Sequence, residues 1–227
     1  MLRLGSKNVS KLFLGGRAIA NAYLGDRLVW QASQPLPYDA EVQYLQGTGT
    51  QYIDTGIFCL KKYSFEFEVS VSYDGVSYED YFGGSPSDSQ AGWRFRRDGN
   101  SEKVLFSIGN AYTTSGVLMS KNTPHLIKMS GDGTATIDGN SVTLGGTSLA
   151  FSPSVILYLF AYSKNNTPYR ISNAKFYSFK CTDTDTDTVV RDMIPVRKNG
   201  VGYMYDRVSG ALFRNAGTGD FIIGPDV

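Results

Sequence analysis

The sequence is poor in the groups that metal and thiol chemistry need. Of its 227 residues two are cysteine, Cys59 and Cys181, and one is histidine, His125. So few soft ligands exclude a Cys/His zinc site. They also exclude the dense disulfide framework of small secreted domains, and free, buried thiols are preferred over a single bridge. Neither sign of charge is in excess: 22 Lys+Arg face 21 Asp+Glu, a formal net charge of +1. A general grip on nucleic acid rests on a basic surplus, so none is expected. No long apolar run is present. The uncharged stretch from Gly139 to Ser163 is interrupted by Gly145-Gly146 and by Ser152-Pro153-Ser154. What remains, Val155 to Tyr162, has the length of a strand and falls short of the ~20 residues of a membrane helix. Met1 to Gly5 carries a charge, but no apolar run follows, so neither a secretory leader nor membrane insertion is expected. Helical stripes of period 3.6 are also missing.

Glycine and aromatics are abundant instead: Gly 25, Tyr 15 and Phe 13, in a chain that is 41% hydrophobic. This composition argues for many turns joining aromatic-rich strands, and against disorder.

The N-terminus repeats with period ten. Leu4-Gly5, Leu14-Gly15 and Leu24-Gly25 align, as do Lys7, Arg17 and Arg27, and then Val9, Ile19 and Val29. Arg3, Phe13 and Tyr23 fill another column. Each unit reads as strand, glycine turn, basic residue, strand. Units this short cannot bury a core of their own. They must pack on the rest of the chain, on sister copies or on another protein. Leu4, Val9, Leu14, Ile19, Leu24 and Val29 are therefore candidate assembly residues. An intermolecular contact, and with it a homo-oligomer, is preferred, because Gln31 to Tyr38 contains Pro35 and Pro37 and reads as a linker. The expected organisation is a repeat segment over 1–30, a linker over 31–39 and one domain over 40–227.

From Glu41 onward the reading is nearly all β. Phe65, Phe67, Val69 and Val71 alternate with Glu66, Glu68 and Ser70. Further strands are expected at Val104–Ile108, His125–Ser130, Thr134–Ile137, Val155–Tyr162, Ala174–Phe179, Val189–Val196 and Tyr203–Tyr205, with turn residues every eight to twelve positions or so. That spacing predicts an antiparallel sandwich. Gly56, Gly139, Gly217 and Gly219 are expected at turns needing positive φ. Gly217-Thr-Gly219 has neither a P-loop lysine nor a following helix and reads as a turn.

Several of these stretches occur together in one kind of module. They are Tyr44-Leu-Gln-Gly-Thr-Gly-Thr-Gln-Tyr-Ile-Asp-Thr-Gly56, Pro124-His-Leu-Ile-Lys-Met129, Thr134-Ala-Thr-Ile-Asp-Gly139, Lys175-Phe-Tyr-Ser-Phe179, Val190-Arg-Asp-Met-Ile-Pro195, Tyr205-Asp-Arg207 and Phe213 to Phe221. The chain resembles, over roughly its whole length, the concanavalin A-like (laminin-G-like) jelly-roll modules of tailed-phage virion proteins and gut-bacterial surface proteins. Ala22-Tyr-Leu-Gly-Asp-Arg-Leu-Val-Trp30 resembles the Leu-Gly repeats at the start of phage structural proteins. The resemblance implies an all-β jelly-roll sandwich on a virion surface, or alternatively a bacterial cell surface. It implies a protein that is not an enzyme. Two readings follow from it: an adhesin that binds surface glycans, or a structural decoration or attachment protein. Other virion proteins or sister chains are the expected partners, and no cofactor is expected.

Four constellations could carry chemistry. Glu66 and Glu68 share one strand face, but Val71 stands where the third acid of a Glu-x-Asp-x-x-Glu glycosidase pattern would fall, so hydrolysis is the weakest reading. Asp183, Asp185 and Asp187 have the spacing of the first calcium ligands of an EF-hand, yet Thr188 and Ile194 replace its Gly and Glu. A solvated loop of repelling charges is preferred to a rim ion, and no metal is assigned. His125 has no Gly-x-Ser-x-Gly elbow to serve. The best ligand-like group is Trp93-Arg-Phe-Arg-Arg97, with Trp93, Phe95 and Arg97 on one face and Arg94 and Arg96 on the other. Rings stack on sugars, and guanidinium forks grip anions. Trp93, Arg94 and Arg96 are candidate ligand residues, although Trp93 and Phe95 also fit a core. Tyr162, Asn165, Asn166 and Tyr169 are further candidates for part of a sugar-binding rim, although a plain surface loop is the preferred reading.

Overall fold

In the computed structural model the ten-residue period is a period of hairpins. Strand β1 (Arg3–Leu4) pairs with β2 (Lys7–Asn8), β3 (Phe13–Leu14) with β4 (Arg17–Ala18), and β5 (Asn21–Leu24) with β6 (Arg27–Gln31). Each repeated leucine lies opposite its basic residue: Leu4 and Lys7, Leu14 and Arg17, Leu24 and Arg27. Two positions led by glycine separate them in sequence, the composition that two-residue hairpin connections favour. The structure describes residues 3–4, 7–8, 13–14, 17–19, 21–24, 27–31, 36–72, 78–87, 92–99, 103–109, 111–144 and 151–227. Leu14 is 76% exposed and Ile19 is half-buried. Val9, and the side chains of Leu4, Leu24 and Val29, lie outside what is described.

The chain divides into two units, Met1–Pro37 and Tyr38–Val227. The second holds β7 (Ala40–Glu41), β8 (Leu45–Gln46), β9 (Ile53–Phe58) and β10 (Tyr63–Ser70). A meander follows, of β11 (Asp80–Ser85), β12 (Gly92–Arg97), β13 (Lys103–Gly109) and β14 (Ala111–Leu118). Next come β15 (His125–Ser130), β16 (Ala135–Ile137), β17 (Asn140–Val142) and β18 (Ile156–Leu159). The last are β19 (Tyr162–Lys164), β20 (Thr167–Tyr169), β21 (Lys175–Asp183), β22 (Thr188–Lys198), β23 (Val201–Asp206), β24 (Leu212–Phe213) and β25 (Ile222–Ile223).

One sheet runs β17-β16-β15-β10-β21-β22-β23-β24, and the other β14-β13-β12-β11-β18-β9. Strands distant in sequence become neighbours, as β10 does between β15 and β21. The fold is an all-β jelly-roll sandwich of the concanavalin A-like kind, and no helix occurs among the described residues. Among the described residues its pairs are antiparallel except β11 with β19.

Alternation on the inner strands builds the core. Phe65, Phe67 and Val69 of β10 point inward and are buried, and so do Trp93 and Phe95 of β12. Phe65 meets Phe82 and Trp93 at 4.8 Å between ring centres, and Phe67 meets Phe95 at 5.5 Å. Tilted and edge-on ring pairs of this kind add about 0.5–1.5 kcal/mol beyond the area they bury. Cys59 and Cys181 are free and buried here. Burial pushes the Cys59 thiol up to about 11 and that of Cys181 up to about 12.

Two local expectations are corrected, and one strand departs from strict alternation. Alternation along β21 puts Phe176 and Phe179 on opposite faces, yet both are buried. The register slips between Glu68 and Val69, so that Ser178 and Phe176 oppose successive residues and Tyr177 is the extra one. A bulge of this kind resets the parity of a strand. Val155–Tyr162 is not one strand either. Phe160 has φ 65°, which ends β18 and lets β19 run parallel to β11. A left-handed residue costs about 1–2 kcal/mol. Phe160 stacks at 4.6 Å on Phe176 and 4.7 Å on Phe221, which offsets that cost. Of the four glycines, Gly56, Gly139 and Gly219 have positive φ and Gly217 does not. Gly217 is needed for space: a Cβ there would sit 2.0 Å from the Thr50 carbonyl oxygen.

That close approach joins the first and last stretches of the resemblance. Thr218 N–H donates to Thr50 O, Ala216 N–H to Tyr52 O, and Asn215 Oδ1 accepts from Tyr52 N–H. Val190–Pro195 and Tyr205–Arg207 are joined as well. Arg207 Nη2 lies 2.9 Å from Asp192 Oδ1, and buried Asp206 accepts the N–H of Asp192, Val208 and Ser209.

Candidate functional site

Strand parity on β12 sends Trp93 and Phe95 inward and Arg94 and Arg96 outward. The register then sets Arg94 opposite Gly83 and Arg96 opposite Asp80. Asp80 is fully buried. It receives Arg94 in a two-pronged pair, Nε to Oδ1 at 2.5 Å and Nη2 to Oδ2 at 2.8 Å. Burial pushes the Asp80 carboxyl above its ordinary value, and the Arg94 hydrogen bonds pull it back. The parallel, planar geometry is that of a carboxylate gripped by a guanidinium fork. Arg94 also lies over the Tyr162 ring, 4.1 Å from its centre.

A row of alternating cations and rings lies beside this pair. Arg96 sits over Tyr78 at 5.0 Å, and Arg170 over the same ring at 5.0 Å. Arg170 also lies 4.9 Å from the Tyr169 ring, which Lys164 approaches at 5.1 Å. The order is Lys164, Tyr169, Arg170, Tyr78, Arg96. Each contact has cation–π geometry, worth about 0.5–1 kcal/mol at an exposed site. The backbone fixes the row: Asp80 N–H donates to Arg170 O at 3.0 Å, and β19 and β20 pair Tyr162 with Tyr169. Tyr78 is 43% exposed, and Tyr169 and Arg170 are half-buried. Burial, then the neighbouring Arg94 charge, holds Arg96 below the ordinary arginine value.

The candidate residues divide accordingly. Trp93 leaves the site: it is a core side chain whose Nε1–H donates to Leu60 O at 3.1 Å. Tyr162 is buried too, its hydroxyl bonded to Ser85 Oγ and donating to Ser87 O. Asn165 and Asn166 have φ 49° and 63°. They close the β19–β20 hairpin as a primed two-residue turn, a conformation asparagine tolerates. The Asn166 amide is engaged at both ends, accepting from Ile156 N–H and donating to Ser154 O. Arg94 is brought in, but Asp80 occupies its fork. Arg96 and Tyr169 are in the row. Tyr78, Asp80 and Arg170 were not singled out from sequence. Arg170 directly follows Tyr169, and that adjacency was the one available signal.

The other constellations do not assemble. Glu66 lies 2.6 Å from Lys128 and opposite Lys180, in an open depression of about 370 Å³ on the outer face of the other sheet. Val71 is in the core. Asp183 is not a free loop charge: it pairs with Lys62 at 2.6 Å, and that hydrogen bond holds its carboxyl below the ordinary value. No cluster of three metal-binding side chains is present among the described residues. His125 Nδ1 meets Asp138 Oδ2 at 2.7 Å and Nε2 faces Ser120 O at 3.3 Å, so both ring nitrogens hold structure. No described helix is long and apolar enough to cross a membrane.

No family profile matches the sequence, and no curated protein is similar to it. Among solved structures, a Bacteroides ovatus protein proposed to bind carbohydrate is similar, with TM-score 0.56 and 11% identity. The match covers 85% of this chain and 61% of that one, so the chain spans less than two thirds of its length. A heptameric SAP-like pentraxin from Limulus polyphemus matches with TM-score 0.46 and 9% identity, over 85% of this chain and 93% of that one. At such identities the likeness is one of fold.

Proposed function

We propose that the protein is a carbohydrate-binding module without catalytic activity. In this reading it acts as an adhesin on a phage virion or a bacterial cell surface, held there through its N-terminal hairpins. The observation that carries the reading is the row in which partly exposed Tyr78 and Tyr169 are held between cations beside β11, β12 and β20. Tyrosine offers a sugar an apolar face and a hydrogen-bonding tip at little conformational cost. The carbohydrate binding proposed for the B. ovatus neighbour is consistent with it. The virion setting rests on the Leu-Gly repeats and their resemblance to phage structural proteins. The absence of catalysis rests on Glu66, tied to Lys128, and on Val71 where a third acid is needed.

A glycan array tests the reading. The full chain should bind a defined set of glycans and release no reducing ends from them, and Tyr78→Ala with Tyr169→Ala should lower that binding about tenfold or more, as loss of stacked rings does. No binding to any glycan, or binding indifferent to both substitutions, would leave a structural decoration protein as the better reading.

A further inference from the structure

The row of rings and cations is unbalanced in charge. One buried carboxylate, Asp80, lies among the three guanidiniums of Arg94, Arg96 and Arg170, and Asp98 is the further acid that acts on Arg96. Arg94 takes both oxygens of Asp80. No described carboxylate forms an ion pair with Arg96 or Arg170, and each lies 5.0 Å from the centre of the Tyr78 ring. Arg96 Nε is moreover buried without a hydrogen-bond partner. An unpartnered guanidinium nitrogen in a partly desolvated position is costly, and an anion meeting the rest of this half-buried guanidinium offsets its charge. Lys164 extends the same sign of charge past Tyr169.

From this we infer that the ligand is an acidic glycan, whose carboxylate or sulfate group is received between Arg96 and Arg170 while its sugar rings lie against Tyr78 and Tyr169. This rests on the carbohydrate-binding reading above. It names the substrate class that the row selects. A neutral sugar would use the rings and leave the guanidiniums as they are. An anionic sugar uses both, and Asp80 repels it little because Arg94 already neutralises that carboxylate. Nucleic acid is the poorer fit, because a net charge of +1 offers no extended basic surface beyond the row.

Polymers that differ only in charge test the inference by titration calorimetry with the full chain. Polygalacturonate is compared with its methyl ester, and dextran sulfate with dextran. At least one charged polymer should bind about tenfold or more tightly than its neutral twin, and the binding should weaken as salt is raised. The preferred twin pair identifies carboxylate or sulfate. Arg96→Gln with Arg170→Gln should lower the charged-polymer affinity about tenfold or more. Because Arg96 is partly buried, Arg170→Gln alone is measured too, and both variants are checked by thermal melting. Equal binding of charged and neutral twins, sensitive to Tyr78→Ala but not to the arginine substitutions, would overturn the acidic ligand and leave carbohydrate binding intact. Binding of duplex DNA at the row, with no binding by any of the four polymers, would overturn it in favour of a different partner. Failure of every array glycan and every polymer would overturn both readings.

Discussion

Replacing Asp80 with asparagine removes a buried carboxylate from among three guanidiniums. The Asp80 side chain is fully buried, and that of Arg94 is 8% exposed. Removing one partner of a buried ion pair costs about 3–5 kcal/mol, because the other charge stays behind uncompensated. Asparagine keeps one acceptor for Arg94 but turns an NH2 toward the second guanidinium nitrogen. The hydrogen bond that the amide oxygen still accepts from Arg94 returns about 1 kcal/mol, while the contact of Arg94 with the Tyr162 ring is common to both proteins and changes nothing. The net loss is then about 2–4 kcal/mol. In a domain of this size each kcal/mol moves the melting temperature by about 2–4 °C, so Asp80→Asn should melt about 4–16 °C lower. Arg94→Gln should behave differently with pH. It strands a buried carboxyl already pushed upward by burial. A folded-state pKa above the unfolded one contributes stability below the unfolded value and loses it as pH rises through the folded value. Its deficit should therefore shrink on acidification, whereas that of Asp80→Asn should not, since asparagine does not titrate and the wild-type carboxyl, raised by burial, gains stability over it as pH falls. Calorimetric melting of the two single variants and the double variant closes a cycle. Additive single losses, with Asp80→Asn melting within about 1 °C of the wild type, would refute a buried ion pair.

Four further outcomes are expected. Asp132, Asp138 and Asp183 all titrate below the ordinary carboxylate range: Thr134 hydrogen bonds hold Asp132 down, burial raises Asp138 but bonds from His125 and Leu126 outweigh it, and Lys62 holds Asp183 down. Their contribution is complete above the unfolded pKa of about 4 and is lost as pH falls through the folded values, so urea midpoints should drop below about pH 4, less steeply in Asp138→Asn. Cys59 and Cys181, buried with raised pKa, should react with a disulfide reagent only on unfolding, and prompt labelling of the native protein would contradict the buried placement. Asp206→Ala should cost about 2–4 kcal/mol in chemical denaturation, because it strands the backbone donors of Asp192, Val208 and Ser209. Leu14→Asp with Ile19→Asp should abolish self-association or attachment in light scattering and leave the sandwich melting temperature unchanged, and a lowered melting temperature with assembly intact would make the hairpins part of the fold.

What could be read from sequence was what depends on local periodicity. The alternation of Phe65, Phe67 and Val69 with Glu66 and Glu68 is a property of neighbouring residues, and β10 follows it to its last turn inward. The same rule failed on β21, because the register slip against β10 leaves Tyr177 as an extra residue, which the alternation of β21 alone does not show. It failed again at Phe160, where tertiary stacking on Phe176 and Phe221 imposes a backbone conformation that local preference opposes.

The site was half legible for the same reason. Parity alone placed Arg94 and Arg96 on a face opposite Trp93, and a sequence reading goes no further than that. What makes the face a site is that β11 sets buried Asp80 across from Arg96 and that the β19–β20 hairpin carries Tyr169 and Arg170 back to Tyr78, which precedes β11 by two positions. Those joins span long stretches of chain, and no spacing in the sequence announces them. Asn165 and Asn166 illustrate the converse. Polar residues between two tyrosines suggest a sugar-binding rim, yet their positive φ values and the engaged Asn166 amide show that the turn itself requires them. Residues chosen for their chemistry are those with unspent hydrogen-bonding capacity after the fold has taken its share. By that measure Arg96, with a buried nitrogen that the described fold leaves unbonded, stands apart from Arg94, Tyr162 and Asn166.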